Sequence, residues 1–226
     1  MIVFVGTSHA AQHLKAAAIK RGCNVLQGEP YAPYGADLIF ISEDTPTNDK
    51  GERDLEPIRA LIEPWRDRGI PIVLTSQVPP GFTRSLGIKH IYQQAETLRM
   101  KDAEARAFDP DYIIVGCAEH DERVFKTMPD AYFDYLNAFP CQKLFVSYEE
   151  AEMSKIAVNM MLAAQVDATN TLAKASAIVG ANWERVAWAL KLDKRIGPHA
   201  YLSPGRWQDS KHLLRDHVTL EEISTR

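Results

Sequence analysis

Two short runs of the sequence carry residue types that can do chemistry. Lys155 and Asn159 stand four apart inside residues 149–179, a stretch with neither Pro nor Gly. On a helix this spacing sets an ammonium and an amide one turn apart on one face. Groups so placed can hold a hydroxyl or a developing oxyanion and relay a proton; the same spacing also suits a solvated polar face. The second run is the turn Gly6-Thr7-Ser8-His9-Ala10-Ala11, which separates an apolar stretch from a helical pattern. A helix that starts after a strand offers unpaired N–H groups and a positive dipole end, the place where a dinucleotide pyrophosphate sits. Against the fingerprint GxGxxG, Gly6 fills the first position, Ser8 crowds the second and Ala11 replaces the third. The acid nearest the ribose position is Glu29. A plain strand-to-helix turn fits these residues as well.

Other reactive side chains have simpler readings. Cys23, Cys117 and Cys141 lie far apart, form no CxxC pair and are odd in number, which suits a reducing cytoplasm and small buried thiols better than a disulfide framework. His90, His120, His199 and His217 show no metal-ligand spacing, and no metal site is expected.

The elements that must position these residues follow from hydrophobic periodicity. Residues 1–5, 24–27, 37–42, 71–75, 112–116 and 144–146 read as strands, most of them continuously apolar. Helical patterns over 10–21 and 55–68 alternate with them, so a mostly parallel sheet with helices on both faces is expected, a Rossmann-like α/β fold. The character changes after residue 146. Met153, Ile156, Met160, Ala164, Ala168, Leu172 and Ala175 form one stripe on a helix of roughly 30 residues, about 45 Å long at 1.5 Å per residue. Asn182 is a plausible N-cap for a helix over 183–190, and a Gly/Pro-rich loop over 197–205 precedes a last short helix. The division expected is an α/β domain over 1–146 and an all-helical domain over 147–226, the long helix completing its burial in a homodimer.

Composition excludes several classes. The chain has 226 residues, 46% of them hydrophobic and 25% charged, so a substantial core is available. With 26 Lys+Arg against 30 Asp+Glu, no global basic field exists to hold nucleic acid or an anionic membrane. The opening residues read as a buried strand and not as a leader, and no apolar run reaches the roughly 20 residues of a membrane span. A cytoplasmic protein is expected.

Several segments, in order, resemble the UDP-glucose/GDP-mannose dehydrogenase family. Thr45-Pro46-Thr47 after a strand is similar to its Thr-Pro turn. Thr75-Ser76-Gln77-Val78-Pro79-Pro80-Gly81 resembles its Ser-Thr-Val-Pro-Pro-Gly segment, and Glu96-Thr97-Leu98-Arg99 followed by Asp109-Pro110-Asp111 resembles its Glu-Phe-Leu-Arg and Asn-Pro-Asp. Glu150 to Lys155 with Asn159 matches the central helix. Asp193-Lys194-Arg195-Ile196-Gly197 and Tyr201-Leu202-Ser203-Pro204-Gly205 match its Arg-Ile-Gly and Phe-Leu-x-x-Gly segments. The 6-phosphogluconate-type hydroxyacid dehydrogenases share the Lys-x-x-x-Asn helix, but Arg195-Ile196-Gly197 and Val78-Pro79-Pro80-Gly81 disfavour them.

The family oxidises the C6 hydroxyl of a nucleotide sugar to a carboxylate with two NAD. The resemblance implies acid/base and water chemistry at Glu96, oxyanion stabilisation by Lys155 and Asn159, and a kept acid at Asp216. It implies NAD contacts at Gly6, Ser8, His9, Ala10, Thr45 and Gln77, the last replacing the family's Thr, and sugar contacts at Leu98, Arg99, Arg195, Tyr201 and Gly205. The family's Gly-Gly-Ser-Cys-Phe-Pro-Lys-Asp aligns with residues 209–216, which sets His212 where the nucleophilic Cys stands. Without that thiol no thiohemiacetal forms, and the second hydride transfer lacks its intermediate. The sequence also stops where the family's central domain ends. Two functions are therefore expected in competition. One is an NAD-dependent oxidoreductase limited to one hydride transfer, with Lys155, Asn159 and His212 as acid/base groups; the other is a noncatalytic binding or regulatory subunit.

Overall fold

The computed structural model describes residues 1–26, 35–99, 101–118 and 127–225. Glu29 and His120 lie outside them, as does Gln27. The chain divides into two compact units, Met1–Pro46 with Asp54–Lys155, and Thr47–Arg53 with Ile156–Arg226. The split thus falls inside the long helix, nine residues beyond the expected position 146, and seven residues of the amino-terminal half cluster with the second unit.

The first unit is built on a six-stranded sheet in sequence order, β1 (Ile2–Val5), β2 (Leu38–Ile41), β3 (Ile72–Leu74), β4 (Ile91–Gln94), β5 (Tyr112–Cys117) and β6 (Gln142–Ser147). All neighbouring strands are parallel except β4 and β5. β1, β2 and β3 are buried on both faces, which is why their sequences are apolar without alternation. Their side chains still alternate between faces. Ile2, Phe4, Leu38, Phe40 and Val73 pack on one side against Leu14, Ala17 and Ala18 of α1 (His9–Lys20) and Tyr132, Tyr135 and Leu136 of α5 (Asp130–Asn137). Val3, Val5, Ile39, Ile41, Ile72 and Leu74 face the other side with Ile58 and Ile62 of α2 (Glu56–Ile62), Trp65 and Phe82.

Several expected elements are corrected. The helix over 55–68 stops at Ile62 and tightens into a 3-10 turn, Glu63–Trp65, because Pro64 has no N–H and its ring crowds the carbonyl four residues back. Of the strand over 24–27, the described residues 24–26 make one bridge, between Ile2 and Val25. Strand β4 has half-polar residues, Ile91-Tyr92-Gln93-Gln94, and is nevertheless fully buried. It tolerates burial because the Gln93 amide donates to the Ser76 carbonyl at 3.3 Å and the Tyr132 hydroxyl donates to Gln94 Oε1 at 3.1 Å. Two short helices, α3 (Phe82–Ser85) and α4 (Ala103–Phe108), and α5 also carry no clear sequence signal.

The long helix α6 runs Tyr148–Ile178 without a break. Its first two turns belong to the first unit. A Cβ on Gly116 of β5 would meet Ala151 Cβ at 2.7 Å and Tyr148 Cα at 3.1 Å, so only Gly lets the helix lie this close to the sheet. The buried Glu152 carboxylate accepts from the Gly81 N–H at 2.6 Å and the Thr83 N–H at 2.8 Å, capping the start of α3.

In the second unit, α6 continues with α7 (Trp183–Leu192) and α8 (Lys211–Ser224). Asn182 caps α7 by accepting from the Arg185 N–H. The last helix has 14 residues where a short one is expected. Ile156, Asn159, Ala163 and Thr169 are the buried positions of α6 in this unit, whereas Ala164, Ala168, Leu172 and Ala175 of the expected stripe are exposed.

Candidate functional site

The parallel strands β1 to β4 all end at one edge of the sheet, where open α/β sheets bind ligands. β1 runs into Gly6, whose φ is +117° and whose Cβ would lie 2.1 Å from the Ser42 carbonyl oxygen. Glycine is therefore required here twice over, by conformation and by close approach. Ser8 is the N-cap of α1: its Oγ accepts from the Ala11 N–H at 3.0 Å and donates to the Ser42 carbonyl at 2.9 Å. The hydroxyl thus spends both its roles inside the fold. The His9 and Ala10 N–H groups have no acceptor among the described residues and remain as first-turn donors. His9 also faces His13 across one helical turn, their Nε2 atoms 3.0 Å apart.

Beyond β2, Glu43 reaches the same turn, its carboxylate accepting from the Thr7 N–H at 2.6 Å and the Thr7 hydroxyl at 3.1 Å. The Glu43 N–H donates to Ser76 Oγ at 2.9 Å, and the Thr45 hydroxyl donates to the Gln77 carbonyl at 2.7 Å. Thr45 is buried, so Thr45 and Gln77 bind the ends of β2 and β3 together.

Beyond β4, Glu96 accepts from the Leu98 N–H and stands 3.7 Å from Lys155 Nζ. The two side chains keep only 19% and 15% of their exposure, so an acid and an ammonium meet in a largely shielded place. Glu96 and Leu98 also line a small cavity with Gln94, Arg106 and Tyr112. Arg99 pairs instead with Asp102 on the surface. Asp102 is half-buried, and its carboxyl is held below the usual range chiefly by the Arg99 hydrogen bond.

The second unit gathers a different set. Asp216 on α8 is completely buried and accepts from Asn159 Nδ2 at 2.6 Å and from the Arg53 guanidinium. Arg53 also donates to Thr219 Oγ1. Burial lowers the guanidinium to about 10 despite the opposing pull of Asp216. The Thr47–Arg53 segment is fitted to α8: a Cβ on Gly51 would meet Val218 Cγ2 at 2.8 Å, and Lys211 Nζ bonds Asp49 at 3.1 Å. His212 is exposed one helical turn before Asp216.

The remaining expected sugar contacts have partners within the chain. Arg195 is exposed and held by Asp193 through two side-chain bonds of 3.0 and 2.7 Å. Tyr201 gives its carbonyl to the Thr169 hydroxyl, and Gly205 exchanges both backbone groups with the Asn170 amide at 2.8 and 2.9 Å. Trp207 donates to Asp167 and packs on His217. The cysteines are free thiols; burial pushes Cys117 up to about 12 and raises Cys23 and Cys141 as well. No cluster of three or more metal-ligating side chains exists among the described residues.

Along one edge of the sheet in the first unit thus stand a turn with free helix N–H groups, after β1, and a largely shielded Lys–Glu pair, beyond β4. Residues 149–224, from the start of α6 to the end of α8, match the central domain of the UDP-glucose/GDP-mannose dehydrogenase family. By this segment the chain is related to that family. A UDP-glucose 6-dehydrogenase of Bacillus subtilis is 30% identical over 203 residues, covering 84% of this chain and 44% of that protein. The UDP-glucose dehydrogenase of Pyrobaculum islandicum superposes with a TM-score of 0.78 at 23% identity, over 99% of this chain and 64% of that one. A GDP-mannose dehydrogenase from Pseudomonas aeruginosa gives a TM-score of 0.70 at 18% identity, over 97% and 65% respectively. The chain therefore spans less than half of this curated relative. Within the family frame, Glu43 and Arg53 are the two residues that sequence reasoning missed. The available signal was an acidic pair, Glu43-Asp44, at the carboxyl end of a buried parallel strand.

Proposed function

We propose that this chain is an NAD-dependent oxidoreductase that removes a single hydride from a hydroxyl-bearing carbon of a nucleotide sugar or related sugar. The observation that carries the reading is the shielded Lys155–Glu96 pair, held at 3.7 Å. The Lys155 ammonium orients the sugar oxygen and stabilises the negative charge that grows on it, while the Glu96 carboxylate receives the hydroxyl proton. As the O–H proton passes to Glu96 and the C–H electron pair leaves as hydride, the C–O bond becomes a carbonyl. NAD, when bound, supplies the hydride acceptor. Gly6 lets the turn after β1 pass tightly against Ser42, and the His9 and Ala10 N–H groups would hold its pyrophosphate.

The reaction stops at the carbonyl because no thiol is available to capture it. His212 takes the nucleophile's aligned position, and Cys117 is buried with its thiol pushed up to about 12. A cytoplasmic homodimer joined through the long helix accompanies this reading. Met161, Ile178, Trp188 and Leu192 are each at least 65% exposed in one chain, apolar side chains that a second copy could cover. No described helix is long and apolar enough to cross a membrane.

A second reading, a noncatalytic subunit, is favoured by the Asn159–Asp216–Arg53 network, in which two groups with expected catalytic roles are committed to each other. The test is NADH formation at 340 nm over a panel of UDP- and GDP-sugars. Turnover that is lost in both Lys155→Met and Glu96→Gln supports the oxidoreductase. Turnover retained in Lys155→Met removes that residue from the mechanism, and the absence of turnover with every sugar leaves the noncatalytic reading.

A further inference from the structure

A phosphate docks on a strand-turn-helix unit because N–H groups there lack partners and the dipole end is positive. In this chain part of that attraction is already used. The Glu43 carboxylate holds both the Thr7 N–H and the Thr7 hydroxyl, and its second oxygen accepts from the Asp44 N–H at 3.1 Å. Its backbone N–H is fixed by Ser76 Oγ, so the residue is anchored at both ends. Two and three residues along from Thr7, the free His9 and Ala10 N–H groups point to where a pyrophosphate would sit. An anion placed there stands beside a carboxylate of the same sign, and the two repel each other.

We propose that Glu43 is a specificity-determining residue of this turn: its carboxylate takes the position of an anionic ligand on the Thr7 donors and lowers the affinity of the turn for pyrophosphate. Neutral parts of a nucleotide, such as its nucleoside, are unaffected, and a dinucleotide binds fully only when Glu43 leaves Thr7. Glu43 thereby opposes the ligand that the neighbouring N–H groups attract, and sets how much NAD the chain holds at a given concentration. The assignment of NAD as that ligand rests on the oxidoreductase reading; the effect on a bare pyrophosphate does not.

The experiment is calorimetric titration of the whole chain and of its Glu43→Gln and Glu43→Ala variants with NAD, inorganic pyrophosphate and adenosine. Glu43→Gln keeps the size of the side chain and an acceptor for Thr7, so it carries the test if Glu43→Ala loosens the turn. Both variants are expected to bind NAD and pyrophosphate roughly tenfold tighter or more, with adenosine affinity unchanged. Equal or weaker binding of NAD and pyrophosphate by Glu43→Gln overturns the proposal. The two claims separate cleanly: variants that bind NAD tighter yet transfer no hydride to it refute the oxidoreductase while Glu43 keeps its role. A wild-type chain that turns over sugar and gains nothing from Glu43→Gln does the reverse. Absence of NAD and pyrophosphate binding in all three proteins refutes both.

Discussion

Replacing Arg53 by Met tests whether the buried network of the second unit is as interdependent as its geometry implies. Asp216 has no exposure and Arg53 keeps 5% of its side-chain exposure, so water cannot take over when one partner is removed. Removing one partner of a buried pair costs about 3–5 kcal/mol because the other is left charged and dry. Asn159 Nδ2 still donates to Asp216 Oδ2 in the variant, which places the expected loss near the lower end, about 3 kcal/mol. For a chain of this size that corresponds to a melting temperature lowered by about 6–12 °C. Asp216→Asn should destabilise similarly by stranding the guanidinium. The double variant Arg53→Met with Asp216→Leu should recover much of the loss, giving a coupling energy of about 2 kcal/mol or more. Urea unfolding of the four proteins measures it. Single losses below about 1 kcal/mol, or simple additivity, would contradict the reading of an interdependent buried pair.

Three further outcomes follow from the packing. Gly116→Ala should destabilise by about 1–3 kcal/mol in thermal melts, because its Cβ would meet Ala151 at 2.7 Å and separate α6 from β5; a neutral result would mean that the helix has room to shift. Burial raises the Glu152 carboxyl, so the folded chain holds a proton that the unfolded chain releases. Stability should therefore fall as pH rises above the ordinary glutamate value, and Glu152→Gln should remove that slope in urea unfolding at successive pH values. A thiol reagent should leave Cys117 unlabelled until the chain unfolds, since burial pushes its thiol up to about 12; rapid labelling of Cys117 in the native protein would contradict its placement.

The fold was legible where one physical cause dominates. β1, β2 and β3 are apolar because both faces are covered, and α6 has no Pro or Gly to interrupt it. β4 was hidden because its two glutamines are buried with hydrogen-bond partners that come from distant parts of the chain, Ser76 and Tyr132. The stripe assigned to the core of α6 was misplaced toward Leu172 and Ala175, whereas Asn159 and Thr169 are buried through polar bonds that periodicity treats as surface. Within the candidate site, the glycine of the turn was readable, as the required φ and the closeness of Ser42 are local demands. Glu96 and Lys155 were each marked by the resemblance, but their contact was not, since the 58 positions between them carry no trace of it in spacing alone. The contacts of Glu43 and Arg53 were not legible, although the acidic pair Glu43-Asp44 at a strand end marked the first of them as a candidate. Each acts on residues more than thirty positions away, and only the parallel register of β1 with β2, or the seating of residues 47–53 on α8, brings them to Thr7 and Asp216.

The central claim is one hydride removed per sugar by the Lys155–Glu96 pair. Its most direct measurement is stoichiometric: incubate the chain with NAD and a limiting amount of the sugar it oxidises, trap carbonyl product with hydroxylamine, and count NADH and oxime together. One NADH per sugar with an equal yield of oxime, and neither in Lys155→Met, is the expected result. Two NADH per sugar with a carboxylate product, or no NADH with any sugar, would contradict the account.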